Sequence, residues 1–185
     1  ERAMAILKVS RMGHPVLRQR AKDIPPEEMT NPPLQRLVAD MVETMVDYEG
    51  IGLAAPQVYQ PLRLIVLGMP DVDPEEEGVI PLTVLFNPEL TAMSDERVDG
   101  WEGCLSIPDI RGVVPRSAAV EVKGFDVEGQ QVEFAAEGFF ARVLQHEIDH
   151  LDSVLFLDRM EGFETLAYFE EYQRYWIEDE EEEEE

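Results

Sequence analysis

Gln145-His146-Glu147-Ile148-Asp149-His150 carries a His-Glu-x-x-His pattern, a metal site compressed into one helix. Residues four apart lie about 40° apart around an α-helix, so His146 and His150 project from one face and can bind one ion. Glu147 stands beside them, within reach of a water on that ion without being a ligand itself. A hydrolytic centre needs a third protein ligand and one open position. His14 lies far upstream beside Pro15 and reads as a turn or surface residue, and Phe156 occupies the place six residues past His150 where another histidine could serve. Two candidates remain. The lone Cys104 offers a thiolate, a strong ligand for zinc or iron(II); Glu170, twenty residues past His150, would instead make a zinc endopeptidase. A purely structural ion would call for four protein ligands, and no fourth is evident.

Two further stretches bear on chemistry. Gly50-Ile51-Gly52-Leu53-Ala54-Ala55-Pro56-Gln57 has two glycines one residue apart and then small residues, the mark of backbone that approaches something closely. It lacks the third glycine and the Lys-Ser/Thr ending of a phosphate loop. A loop lining a substrate cleft fits better, with Gln57 offering an amide donor. In Gly100-Trp101-Glu102-Gly103-Cys104-Leu105-Ser106-Ile107-Pro108, the glycines and the Ile-Pro bend imply an irregular, accessible stretch around Cys104.

The elements that must position these residues follow from periodicity. Asn31-Pro32-Pro33 starts a helix, and Leu34, Leu37, Val38, Met41, Val42, Met45 and Val46 give it one apolar face. Residues 62–67 and 82–86 read as strands, the second ended by Asn87-Pro88, with an acidic exposed loop at 71–78 between them. Val113-Val114, residues 118–123 and residues 130–134 are short strands, the last two joined by a hairpin. The His-Glu-x-x-His helix spans about 138–151, with Phe139, Phe140, Val143, Leu144, Ile148 and Leu151 at spacings that suit burial. Residues 163–176 read as a closing amphipathic helix with its aromatics inward. The expected fold is α+β: short antiparallel strands wrapped around a central buried helix, with one helix N-terminal and one C-terminal to it.

At 185 residues the chain has the size of one domain, here 1–177, and its 44% hydrophobic content is ordinary for a soluble globular protein. One cysteine excludes an intramolecular disulfide framework, and no run approaches a membrane span or a secretory leader, so a cytoplasmic location is expected. Met4 looks like a natural start after Glu1-Arg2-Ala3. The net charge of −25 includes −8 from residues 178–185, which read as a disordered acidic tail. The remaining −17 argues against direct nucleic-acid binding through a basic surface, though not against a transient ribosome contact through a small patch.

Three motifs in order, 50–57, 102–106 and 145–152, resemble the signatures of bacterial-type peptide deformylases. The likeness runs from about Ile6 to Arg159 and includes Arg11-Met12-Gly13-His14-Pro15-Val16-Leu17 and Arg111-Gly112. It implies hydrolytic removal of the formyl group from the N-terminal formyl-methionine of nascent polypeptides by metal-activated water. On that resemblance Cys104, His146 and His150 hold the ion, Glu147 is the general acid/base, and Gln57 with the Leu105 backbone N–H forms the oxyanion hole. Gly52, Ile51, Glu102, Arg111 and Val143 would then contact substrate. The family's usual ion is Fe2+, with Zn2+, Ni2+ or Co2+ also able to occupy the site. Ser153 and Tyr59 stand where the family usually has glycine, which implies altered loop geometry. Arg142 is polar where an apolar residue would line the pocket, though its stem can still pack there.

Overall fold

The structure, a computed structural model, describes residues 5–73, 76 and 78–177. The 178–185 tail and the start at Met4 lie outside them. In chain order the strands are β1 (Gly52–Ala54), β2 (Leu64–Leu67), β3 (Thr83–Met93), β4 (Arg97–Cys104), β5 (Ile107–Ser117), β6 (Ala119–Phe125), β7 (Gln131–Glu137) and β8 (Ala167–Tyr168). The helices are α1 (Pro32–Asp47), α2 (Gly138–Leu151) and α3 (Phe169–Tyr175). Five strands pair in the order β1-β2-β3-β6-β7 and three in the order β4-β5-β8, every pair antiparallel. The class is α+β. Among the described residues no helix is long and apolar enough to cross a membrane.

β2 explains how α1 and α2 share one sheet. Side chains alternate across a strand, so Leu64 and Val66 join Val38, Met41 and Met45 of α1. Ile65 and Leu67 face the other way and join Leu144 and Ile148 of α2. A strand covered on both faces reads as an unbroken apolar run, as this one does. Each such side chain contributes about 1.5–3 kcal/mol when fully buried. Pro32 and Pro33 open α1, where the missing N–H groups cost nothing. Of its expected apolar face, Val46 is exposed.

Two expectations give way. β3 does not end at Asn87-Pro88 but runs on to Met93, with register shifts between Phe86 and Glu89 and between Leu90 and Ala92. A bulge tolerates the missing proline donor. The Asn87 side chain secures it by bonding Ile24 N–H and Ile24 O, each at 2.8 Å. The closing segment is not one helix. Ala167 and Tyr168 pair with Arg111 and Ile110 on the edge of β5, which leaves only seven residues for α3. Phe163, Tyr168 and Tyr175 stay exposed, while Tyr172 and Trp176 tilt against Trp101.

Tyr59 and Ser153 both adopt left-handed backbone, at φ 64° and 63°. Both loops make the turn a glycine would make, and the cost falls on the backbone, about 1–2 kcal/mol for an L-residue. Ser153→Gly should therefore raise stability by about 1 kcal/mol, a Tm gain of about 2–4 °C for a chain of this size. Tyr59→Gly should gain less, because its ring packs edge-on against His14 at 4.9 Å. Calorimetry on both variants checks this, and an unchanged or lower Tm for Ser153→Gly would count against it.

Candidate active site

α2 carries His146 and His150 one turn apart, and the end of β4 brings Cys104 to them. One ligand atom from each lies within 4.8 Å of the others, and Cys104 Sγ is 3.3 Å from His150 Nε2. One sulfur and two imidazole nitrogens at this separation suit a three-ligand set for zinc or iron(II). Cys104 is not on the accessible, irregular stretch the sequence suggests: it is a buried residue of β4. Alternation along β4 turns Glu102 and Cys104 inward together. The β4–β5 register shifts between those two residues, and Gly103 between them leaves room for the Arg111 guanidinium, which a Cβ there would overlap. Glu170 is exposed on α3 and is not part of this group. His14 is an exposed turn residue, its Nδ1 accepting from Val16 N–H.

Glu102 organises the charges. Oε1 accepts from Arg116 Nε and Arg142 Nη1, both at 2.9 Å. Oε2 accepts from Arg116 Nη2 at 3.0 Å and pairs with His146 Nδ1 at 2.9 Å. Burial pushes this carboxyl up, but the hydrogen bonds from His146 and Arg116 and their charges outweigh it and hold it far below the usual carboxylate range. Burial also opposes charge on His146, yet its hydrogen bonds to Cys104 and Glu102 keep it well above an ordinary imidazole. Burial and the neighbouring charges of His146 and Arg116 hold His150 well below. Of the two imidazoles, His150 is thereby held neutral, the form that ligates metal. Arg116 also bonds Asp149, which takes two bonds from Arg159.

Glu147 is buried, which raises its carboxyl to about 7; the charge of Glu102 adds to the shift, and those of His146 and Arg116 oppose it. Its Oε2 has no hydrogen-bond partner among the described residues. Gly52 packs against this carboxylate so closely that a Cβ there would overlap it. Gln57 is buried and fixed: Oε1 accepts from Ala54 N–H at 2.8 Å, while Nε2 donates to Ser106 Oγ at 3.2 Å and points at Cys104 Sγ, 3.5 Å away. Leu105 turns the β4–β5 hairpin beside them, with its side chain against Gly50.

Ile51, Gly52, Gln57, Glu102, Cys104, Leu105, Arg111, Val143, His146 and Glu147 all line one cleft of about 930 Å³, so the motifs converge. His150 lies beneath its floor. Arg142 lines the cleft too, but its guanidinium turns away onto backbone carbonyls of β4 and β5. Sequence reasoning missed Arg116, Asp149 and Ser106. Arg116 had a readable signal: it occupies an inward position of β5, in phase with Val114, and a buried guanidinium demands acids nearby.

Comparison with known proteins identifies a family. The family model for polypeptide deformylase matches residues 6–165. Peptide deformylase 1 of Bordetella pertussis is 44% identical over 90% of this chain and 92% of its own. Peptide deformylase 2 of Pseudomonas putida is 42% identical over 89% and 93%. A Met-Ala-Ser-bound class I type b peptide deformylase from Acinetobacter baumannii superposes with a TM-score of 0.79 at 37% identity, over 85% of this chain and all of that one. The peptide deformylase of Thermotoga maritima gives 0.76 at 36% identity, over 85% and 99%. With one family model spanning most of its length and relatives of this similarity, the chain belongs to the polypeptide deformylase family of hydrolases.

Proposed function

We propose that this chain removes the formyl group from the N-terminal formyl-methionine of nascent polypeptides, in the cytosol and with at most a transient ribosome contact. The observation that carries this reading is the junction of Cys104, His146 and His150 with a buried carboxylate, Glu147, in one cleft. The relative bound to Met-Ala-Ser supports a peptide with N-terminal methionine as the ligand class.

Cys104, His146 and His150 would hold one divalent ion, with Fe2+ favoured by the mixed sulfur and nitrogen set and Zn2+, Ni2+ or Co2+ as substitutes. When bound, that ion supplies Lewis-acid chemistry and a nucleophile available at neutral pH. Glu147 accepts the proton of the attacking water and passes it to the departing amine; a carboxyl near 7 suits both steps. Gln57 Nε2 and the Leu105 N–H donate to the oxygen that gains negative charge, each such donor contributing about 3 kcal/mol. Ile51 and Val143 offer apolar wall for the methionine side chain, and Gly52 lets the peptide backbone come close. Arg111 lines the same cleft, its guanidinium 4.4 Å from the Phe169 ring centre. The Glu102 carboxylate engages Arg116, Arg142 and His146, which supports a role in orienting His146 besides any substrate contact.

Glu147→Gln should keep its metal and lose turnover of formyl-Met-Ala-Ser by about 10²–10⁴-fold; a variant with near-parental turnover would exclude Glu147 as the base. The same substitution has a pH signature in chelator-stripped protein. The Glu147 carboxyl binds its proton more tightly folded than unfolded, where about 4.3 is expected. Its contribution to stability is therefore complete below that value and is lost as pH rises through about 7. Glu147→Gln should match the parent at pH 4 and exceed it at pH 8 in denaturant titrations; an equal difference at both would sink the argument.

The metal reading has its own test. After anaerobic purification, Cys104→Ser should lose iron and activity by elemental analysis and assay, while Glu170→Ala keeps both. The reverse pattern would favour the zinc-endopeptidase alternative.

A further inference from the structure

Arg142 sits on α2 one turn before His146, and its guanidinium lies across the hairpin that carries Cys104. Nη2 donates to Val98 O at 2.7 Å. Nη1 donates to Val114 O at 2.8 Å and to Glu102 Oε1 at 2.9 Å, with Gly100 O farther off at 3.4 Å. One side chain of α2 thus grips the backbone of both β4 and β5 and the carboxylate that orients His146. Gly100 makes room for it: a Cβ there would lie 2.7 Å from the Arg142 Cζ and Nη2. The Arg142 side chain is 11% exposed, so its charge is tolerated only because these acceptors surround it. A lysine could not reproduce the grip, since an ammonium lacks the planar fork.

The fold does not need this grip. The β4–β5 ladder pairs from Arg97 opposite Ser117 to Glu102 opposite Gly112. α2 is docked separately, by Gln145 bonding Ser117 N–H and Ser117 O, and by Asp149 bonding Arg116. What Arg142 adds is local. A carboxylate offers about four acceptor positions, and Glu102 has four donors. Removing one frees the group to pivot about Arg116 and carries the acceptor of His146 Nδ1 with it. Cys104 lies two residues further along β4, so the clamp stands between the two elements that supply the ligands.

We propose that Arg142 is a positioning residue for the metal centre, fixing Glu102, and through it His146, relative to Cys104. This rests on the metal-hydrolase reading above. Full-length chain loaded with Co2+ tests it, because cobalt–thiolate and d–d absorption bands report ligand geometry directly. Arg142→Met removes the guanidinium and keeps a stem of similar width. Gly100→Ala displaces the guanidinium without removing it, and decides the matter alone if Arg142→Met does not fold. Both should shift the bands and release cobalt to excess EDTA about 10–100-fold faster than the parent, and kcat for formyl-Met-Ala-Ser should fall. Bands and release rate equal to the parent's, with or without a drop in Tm, would overturn the proposal by leaving Arg142 a merely structural contact. A parent chain that takes up no cobalt, or shows no thiolate band, would instead overturn the metal reading itself.

Discussion

The buried carboxylate of Glu102, with every acceptor position engaged, is the constraint on which the geometry of this protein depends. Its donors come from β5, α2 and α2 again, so one side chain of β4 fixes three elements against each other. Apolar packing stabilises the same junction but has no direction; it would tolerate small slips of α2 along the sheet. A charged network does not. Arg116 must meet Glu102 on one side and Asp149 on the other, and Asp149 must also meet Arg159. Burying such charges costs several kcal/mol per ion before pairing returns it, so the network adds little net stability. Its contribution is placement. His146 Nδ1 is committed to Glu102, which leaves the other ring nitrogen to face Cys104 and His150.

How much of this was legible in sequence depends on the range of the interactions involved. The span of α2 and the burial of Val143, Leu144, Ile148 and Leu151 follow from its own residues, because the periodicity that hides one face is local, although Phe139 at its start is exposed. The start of α1 is equally local, set by Pro32-Pro33. The convergence of the three motifs came from their resemblance to the deformylase signatures, since two imidazoles four apart left both Cys104 and Glu170 open as the third ligand. The errors are all non-local. Nothing near Asn87-Pro88 announces that Ile24, far upstream, holds the bulge that lets β3 continue. Nothing near Ala167 announces the free edge of β5. The Cys104 glycines looked like accessibility, whereas Gly100 and Gly103 make room for the side chains of Arg142 and Arg111 from other elements. Arg142 stood out only as a polar residue where an apolar lining was expected, and nothing near it announces that the carbonyls of Val98 and Val114 take its guanidinium.

The polar residues the sequence reading missed share one property: they touch other protein groups rather than any ligand. Arg116 lies outside the motifs, and Asp149 and Ser106 inside them drew no role of their own, because what they do is hold other side chains: Arg116 holds Glu102 and Asp149, and Ser106 holds Gln57. Ser106 is fully buried and takes one bond from Gln57 Nε2, while Ala54 N–H holds the far end of the same amide. An amide held at both ends cannot flip. It keeps donors, not an acceptor, toward the cleft, as stabilising a developing negative charge demands.

The same economy places the base of the proposed reaction. Leaving Glu147 Oε2 without a partner costs about 1–3 kcal/mol, a local weakness that the flanking apolar clusters offset. In return burial raises the carboxyl to about 7, which suits a group that takes and then releases a proton in the proposed reaction. Gly52 gives that carboxylate its room, because a Cβ at this position would overlap the Glu147 side chain. A side chain at residue 52 would therefore displace the group that moves the proton in the proposed reaction, so the position of that base depends on a missing Cβ on β1.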